Sequence, residues 1–281
     1  MTDQYAAQYA VIGNPIAQSK SPLIHGMFAT ATQQDLDYTR IEGSVGAFAQ
    51  DVDAFRARGG RGLNITAPFK LDAFAYATEH SERAKLAGAV NCMKFDADKV
   101  VAENFDGVGL VRDVVFNLQC ALKGKRVLVL GAGGATRGAL LPFLAEQPAL
   151  LVIVNRHLDK AQALVDIGKQ APGAAGGLQA SSYPALDGQH FDVVFNATSA
   201  SLTGDLPPVP PSVFTGCTLA YELAYGKGLT PFLRLAHNAG AQKLADGVGM
   251  LAEQAAEAFL WWRGVRPDTA AVIQAITVPL V

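Results

Sequence analysis

Cysteine is scarce in this chain of 281 residues. Only Cys92, Cys120 and Cys217 occur, far apart, odd in number and without a C-x-x-C pair. Neither a disulfide framework nor a zinc site is expected from that spacing. The five histidines include no H-x-x-x-H pair. Charge is sparse as well: 17% of residues carry it, with 23 Lys and Arg against 25 Asp and Glu for a net −2. There is no basic excess of the kind that nucleic acid requires. No apolar run reaches membrane-spanning length without a charge or a turn residue, so no membrane segment is expected. The opening Met1-Thr2-Asp3-Gln4-Tyr5 has neither a basic n-region nor an apolar h-region, so no secretory signal is expected either. A reduced, cytoplasmic, metal-free enzyme fits these shortages.

Apolar residues are plentiful, at 50% of the chain. That is enough for a sizeable core, and the length suits one large domain or two medium ones. Short apolar runs alternate with helical patterns. Tyr9 to Gly13, Tyr38 to Ile41 and Gly62 to Ile65 read as strands. Ser21-Pro22 reads as an N-cap with proline at the first helical position. Leu23, Met27 and Ala31 then repeat every four residues on one helix face, and Val45, Phe48, Val52 and Phe55 form a second helical stripe. Ala89 to Phe95 and Val100 to Ala102 read as a hairpin, and a helix is expected from Asp106 to about Leu118. Such βαβ alternation implies a mainly parallel sheet. Further strands are expected at Leu178–Ala180, Asp192–Phe195 and Thr218–Tyr221, with loops at 171–177 and 206–211. Strongly apolar helical patterns run from Gly247 to Trp262 and again after Pro267.

The most informative stretch is Lys125 to Gly138. A β-branched run ends in Gly131-Ala132-Gly133-Gly134-Ala135, and a helical pattern starts at once. This is a strand, a tight turn and a helix N-terminus, where backbone N–H groups and the helix dipole suit a pyrophosphate. Gly131 and Gly133 fit the first two glycines of the dinucleotide fingerprint, while Thr136 holds the third position. About 120 residues precede the turn, enough for a separate domain to hold a substrate. The next strand, Leu150 to Val154, ends in Asn155-Arg156 where NAD-binding chains usually carry a carboxylate. Arg156 can pair bidentately with a phosphate, and Lys160 shares its helix face. Cations at a helix start are unfavourable unless an anion meets them. The pattern therefore reads as NADP rather than NAD.

Several polar residues lie just past strand ends, where open α/β sheets bind ligands. Ser19 and Ser21 offer hydroxyls near a helix start. Thr66 and Lys70 are four apart after the third strand. Asn91 interrupts an apolar segment and needs a hydrogen-bond partner if buried. Asp106 precedes a helix, where N-capping is the plain alternative. Gln254 shares a face with Met250 on the long apolar helix. Lys70 and Asp106 are the only acid/base pair that falls at adjacent strand ends.

The succession S-K-S-P, N-I-T-x-P-F-K, G-A-V-N, N-x-D-G, G-A-G-G-A, N-R, N-A-T-S, Y-E-x-x-Y and G-x-G-M-L-x-x-Q resembles the shikimate dehydrogenase family along essentially the whole chain. The resemblance implies two domains: an α/β substrate domain with a mainly parallel sheet, and a Rossmann-type NADP-binding domain. Residues 1–106 would form the first, with the C-terminal helices of 247–281 packing back on it, and 107–246 the second. It implies reversible NADP-dependent reduction of 3-dehydroshikimate to shikimate on the route to chorismate and the aromatic amino acids. By the same resemblance Lys70 and Asp106 are the catalytic pair, and Ser19, Ser21 and Tyr225 hold the substrate carboxylate. Asn64, Thr66, Asn91, Asp106 and Gln254 surround the ring hydroxyls. Gly131, Ala132, Gly133, Gly134 and Ala135 cradle the pyrophosphate. Asn155, Arg156, His157, Leu158, Asp159 and Lys160 hold the adenosine ribose and its 2′-phosphate. Asn196, Thr198, Leu223 and Gly247 border the nicotinamide, and Glu82 also falls at a cofactor-linked position. A small-molecule substrate is the expected partner and a homodimer the expected assembly.

The chain departs from the family pattern at Cys92, Phe105 and His157, where threonine is usual. It departs also at Glu222, where aspartate is common, and at Ala200-Ser201 in place of G-M. A quinate/shikimate dehydrogenase of the same superfamily, often NAD-using, is the nearest alternative. A non-catalytic NADP-sensing module is the alternative from another class, and it predicts loss of the acid/base pair.

Overall fold

The computed structural model describes residues 6–170 and 177–280. The chain divides into two compact units. One comprises residues up to Gly109 together with Ala252–Ile276. The other runs from Leu110 to Leu251 and takes in the chain end from Thr277.

The first unit opens with β1 (Ala7–Gly13), α1 (Ser21–Thr32), β2 (Leu36–Glu42), α2 (Phe48–Ala57) and β3 (Gly60–Ile65). It continues with α3 (Lys70–Tyr76), β4 (Glu79–His80), α4 (Glu82–Ala87), β5 (Cys92–Asp96), β6 (Lys99–Glu103) and the start of α5 (Asp106–Arg112). Its six strands lie in the order β2-β1-β3-β5-β6-β4. Strands β2, β1 and β3 are parallel, and β5 runs antiparallel to both neighbours. Side chains alternate across a strand. Ala10 and Ile12 of β1 therefore join Phe48, Val52, Phe55 and Phe69 on one face, while Tyr9 and Val11 join Tyr38, Cys92, Phe105, Ala258 and Trp262 on the other.

The second face is covered by α10 (Val248–Arg263), which arrives from the far end of the chain, with α11 (Ala270–Ile276) after it. Trp262 stacks on Tyr9 with ring centroids 4.6 Å apart, and its Nε1 donates to the Met93 carbonyl at 3.0 Å. Gly62 leaves room for that indole, since a Cβ there would stand 2.6 Å from Nε1.

The second unit carries β7 (Arg126–Leu130), α6 (Gly134–Ala145), β8 (Leu150–Val154), α7 (Leu158–Lys169) and β9 (Gly177–Ser181). Then come β10 (Val193–Asn196), the short α8 (Ala200–Thr203), β11 (Leu219–Glu222), α9 (Pro231–Asn238) and β12 (Lys243–Asp246). The strand order is β12-β11-β10-β7-β8-β9, and every pair is parallel. That is the doubly wound order of Rossmann sheets. All three cysteines are free and buried. Burial pushes the Cys92 thiol up, and that of Cys217 up to about 12.

Several local expectations are corrected. Ser21 is the first residue of α1 rather than its cap. Lys20 holds the cap position, and no side chain caps the helix. The buried face of α1 is Ser21, Ile24, His25 and Phe28, not Leu23, Met27 and Ala31. Both faces of this helix are rich in apolar residues, so spacing alone does not choose between them. Val45 precedes α2 and is 76% exposed, leaving Phe48, Val52 and Phe55 as the buried stripe. The helix from Asp106 changes to a π-helical turn over Asp113–Asn117. The loop expected at 171–177 lies, up to residue 176, outside the described residues.

Candidate active site

In an open α/β sheet, ligands bind where adjacent parallel strands send their connections in opposite directions. In the first unit this occurs between β1 and β3. The chain leaves β1 toward Ser19 and Ser21, and leaves β3 toward Thr66 and Lys70. The antiparallel register pairs Asn64 with Cys92 and Cys92 with Glu103. It thereby brings Asn91 and Asp106 to the same edge.

The pair at that edge is formed. Lys70, first residue of α3, donates from Nζ to Oδ2 of Asp106 at 2.6 Å, with the two side chains 35% and 19% exposed. Asp106 is the first residue of α5. Its other oxygen, Oδ1, accepts from Asn91 Nδ2 at 2.7 Å. Asn91 is buried, as an interrupted apolar segment suggests, and its Oδ1 accepts from the Phe105 amide at 2.9 Å. Asn104 Oδ1 takes the Asp106 amide at 3.1 Å. The carboxylate is thus held by a cation and an amide, and the Asp106 backbone is tied to Asn104. Gln254 on α10 stands with Oε1 3.5 Å from Asn91 Nδ2. Ser19 Oγ donates to Ser21 Oγ at 3.2 Å, and Arg40 clamps the Ser19 carbonyl from Nε and Nη2 at 3.2 and 2.7 Å. Thr66 is half-buried directly after β3. Phe105 packs edge-on against Trp261, with the Arg83 guanidinium over its ring. Arg83 in turn pairs with the buried Glu103 at 2.6 Å.

Sequence reasoning does not reach Tyr38, His25 or Arg40. Tyr38 Oη donates to Asn64 Oδ1 at 2.7 Å. His25 stacks flat on Tyr38, centroids 4.1 Å apart and planes at 5°. The one available signal is a tyrosine inside the polar strand Asp37-Tyr38-Thr39-Arg40, where an inward side chain needs a partner for its hydroxyl.

The second unit has its own switch point, between β7 and β10. Gly131 leaves β7 at φ +102°, in the left-handed region open to glycine, and donates its N–H to the Val154 carbonyl at 2.7 Å. Thr136 returns a hydroxyl bond to the Gly131 carbonyl at 2.7 Å. The N-terminus of α6 has no side-chain cap and no acidic residue in its first turn, and a Cβ at Gly133 or Gly134 would meet nothing within 4 Å. Open backbone donors at a helix start are what a pyrophosphate needs, so these residues fit a dinucleotide. Beyond β8, Asn155 and Arg156 line a cleft of about 500 Å³ with Ser182, Tyr183, Pro184 and Pro208–Pro210. His157, Leu158, Asp159 and Lys160 follow it, all exposed.

On β10 the wholly buried Asn196 donates to Glu222 Oε2 at 2.9 Å and accepts the Thr198 hydroxyl at 2.7 Å. Asn196 therefore shapes the loop that presents Thr198. Leu223 donates its N–H to the Asn196 carbonyl at 3.0 Å, and a side chain at Gly247 would strike the Leu223 carbonyl. Tyr225 is exposed in this second unit. Glu82 is in the first unit, at the start of α4, paired with Lys85 at 2.8 Å. Among the described residues no cluster of three or more His, Cys, Asp or Glu could hold a metal ion.

A dinucleotide-type parallel sheet, with a lysine–carboxylate pair in a second α/β unit of the same chain, has the pattern of an α/β oxidoreductase. Residues 11–93 match the family described as shikimate dehydrogenase substrate binding domain. Residues 114–203 match shikimate / quinate 5-dehydrogenase, and 247–277 the shikimate 5'-dehydrogenase C-terminal domain. The chain is 54% identical to the NADP(+) shikimate dehydrogenase of Nitrosospira multiformis, over 94% of this chain and 95% of that one. A crystal structure of an Ael1 enzyme from Pseudomonas putida shares 60% identity at TM-score 0.95, covering 98% of this chain and all 100% of that one. The Thermus thermophilus shikimate 5-dehydrogenase, solved with NADP(H) and shikimate, shares 29% at TM-score 0.83, covering 96% and 98%. The chain belongs to the shikimate dehydrogenase family.

Proposed function

We propose that this protein catalyses the reversible NADPH-dependent reduction of 3-dehydroshikimate to shikimate, in the cytoplasm, on the route to chorismate. The observation that carries the reading is the Lys70–Asp106 pair at 2.6 Å, held by Asn91 at the β1/β3 switch point. In this reading residues 1–106 and 247–281 serve the substrate and 107–246 the nucleotide. The carboxylate is taken by Ser19, Ser21 and Tyr225, and the ring hydroxyls by Asn64, Thr66, Asn91, Asp106 and Gln254.

Ketone reduction requires a hydride at carbon and a proton at oxygen. The nicotinamide, when bound, supplies the hydride. Lys70 Nζ–H donates to the developing alkoxide and transfers its proton there as the C–H bond forms. Asp106 holds that ammonium in place at 2.6 Å, and its second oxygen, fixed by Asn91, binds a ring hydroxyl. Lys70 is partly exposed and is reprotonated from water. Charge develops on a single oxygen beside a fixed cation, so the chemistry requires no metal. The pyrophosphate would rest on Gly131–Ala135, and Arg156 with Lys160 would meet the 2′-phosphate, a group that Asn155 does not repel.

Initial rates with shikimate and with quinate, each with NADP and with NAD, test this reading. Strong activity with shikimate plus NADP alone is the expected result. Comparable rates with quinate, or a preference for NAD, would move the protein to the broader quinate/shikimate class.

A further inference from the structure

Behind Asn64 lies a buried arrangement that none of the steps above employs. Asn64 has two amide ends, and a ligand meets different chemistry depending on which one faces it. Two neighbours decide this. On one side the Tyr38 hydroxyl donates to Oδ1 at 2.7 Å. On the other side the main-chain carbonyl of Asn91, an acceptor only, stands 3.5 Å from Nδ2. Turning the amide over would set the carboxamide oxygen against that carbonyl and lose the interaction.

The phenol is itself immobilised. His25 lies parallel to it at 4.1 Å, with Trp262, Phe28 and Phe259 around the imidazole at 5.5, 6.0 and 6.2 Å. His25 is 1% exposed, and neither ring nitrogen reaches hydrogen-bond geometry with any partner. A buried polar ring without partners is costly. What the fold obtains in return is a flat ring packed face to face with the phenol.

We infer that Tyr38, backed by His25, is a positioning residue that locks Asn64 as a hydrogen-bond donor toward the substrate. One N–H of Nδ2 faces the Asn91 carbonyl, and the other is left to read a ligand oxygen. The inference rests on the reading of Asn64 as a substrate ligand.

The test uses the full chain and steady-state kinetics with shikimate and NADP. Tyr38→Phe keeps the stacked ring and removes only the hydroxyl. It is expected to raise KM for shikimate about tenfold, with kcat and KM for NADP within about a factor of two to three. Asn64→Ala is expected to raise KM at least as far, and Tyr38→Phe added to it should cost nothing more. Asn64→Asp still accepts from Tyr38 but has no N–H to give, so it should lose binding as fully as Asn64→Ala. Unchanged KM in Tyr38→Phe, independent losses in the double variant, or retained binding in Asn64→Asp would each overturn the inference. A wild-type protein that does not oxidise shikimate would instead overturn the reading of the site itself.

Discussion

Lys70 and Asp106 form an ion pair that is partly open to solvent, and such a pair adds little to stability. Its value is in placing an N–H donor. Lys70→Ala is therefore expected to lower turnover by roughly 10²–10⁴-fold while leaving the melting temperature near that of the wild type. Turnover close to normal would remove Lys70 from the mechanism. His25 behaves in the opposite way: it touches no reacting group and matters through stability. Burial pushes its imidazole from 6.5 down to about 3, and the Asn64 side chain offsets only part of that. Below pH 6.5 the unfolded chain takes up a proton that the folded ring refuses. Stability therefore falls as the pH is lowered from 6.5 toward about 3, by roughly 1.4 kcal/mol per pH unit from this group, and is unaffected by it above 6.5. His25→Phe preserves the stack and removes the titration. Denaturant unfolding from pH 7.5 to pH 4.5 should show the variant gaining on the wild type only below pH 6.5, and parallel curves would refute the assignment.

At the scale of elements, α10 decides the first unit. Its Ala258 and Trp262 close a sheet face that carries Tyr9, Val11 and Tyr38. Trp262→Ala should destabilise the protein by about 3–5 kcal/mol, because the indole leaves a cavity and its bond to Met93 is lost. A loss below about 1 kcal/mol in denaturant unfolding would show that the face closes without it. The same element explains what the sequence leaves hidden. Which face of α1 is buried, and that a histidine lies inside it, depends on a helix more than 220 positions away, beyond the reach of any local period. The glycine turn is legible because its geometry is local: Gly131 needs a left-handed φ, and the helix follows at once. Lys70, Asn91 and Asp106 are individually ordinary, and only their order along the chain singles them out. Tyr38 has neither advantage, since its importance comes from a cross-strand partner 26 residues away.

At the scale of the whole molecule, two six-stranded sheets each carry their polar residues at a topological switch point. The βαβ periodicity announces both sheets. The antiparallel β5 and β6 of the first sheet bring Asn91 and Asp106 back to the same edge as Lys70, a register set by the hairpin around Asp96-Ala97-Asp98. The return of residues 252–276 to the first unit also imposes an order on synthesis. While the ribosome makes the second unit, the N-terminal sheet waits with one apolar face bare, and its missing cover is not yet translated. The second unit is nearly continuous in sequence and needs no such late segment for its sheet. Apolar surface left bare during synthesis is prone to aggregation, so that face is the exposed liability of the chain until residues 252–276 are made.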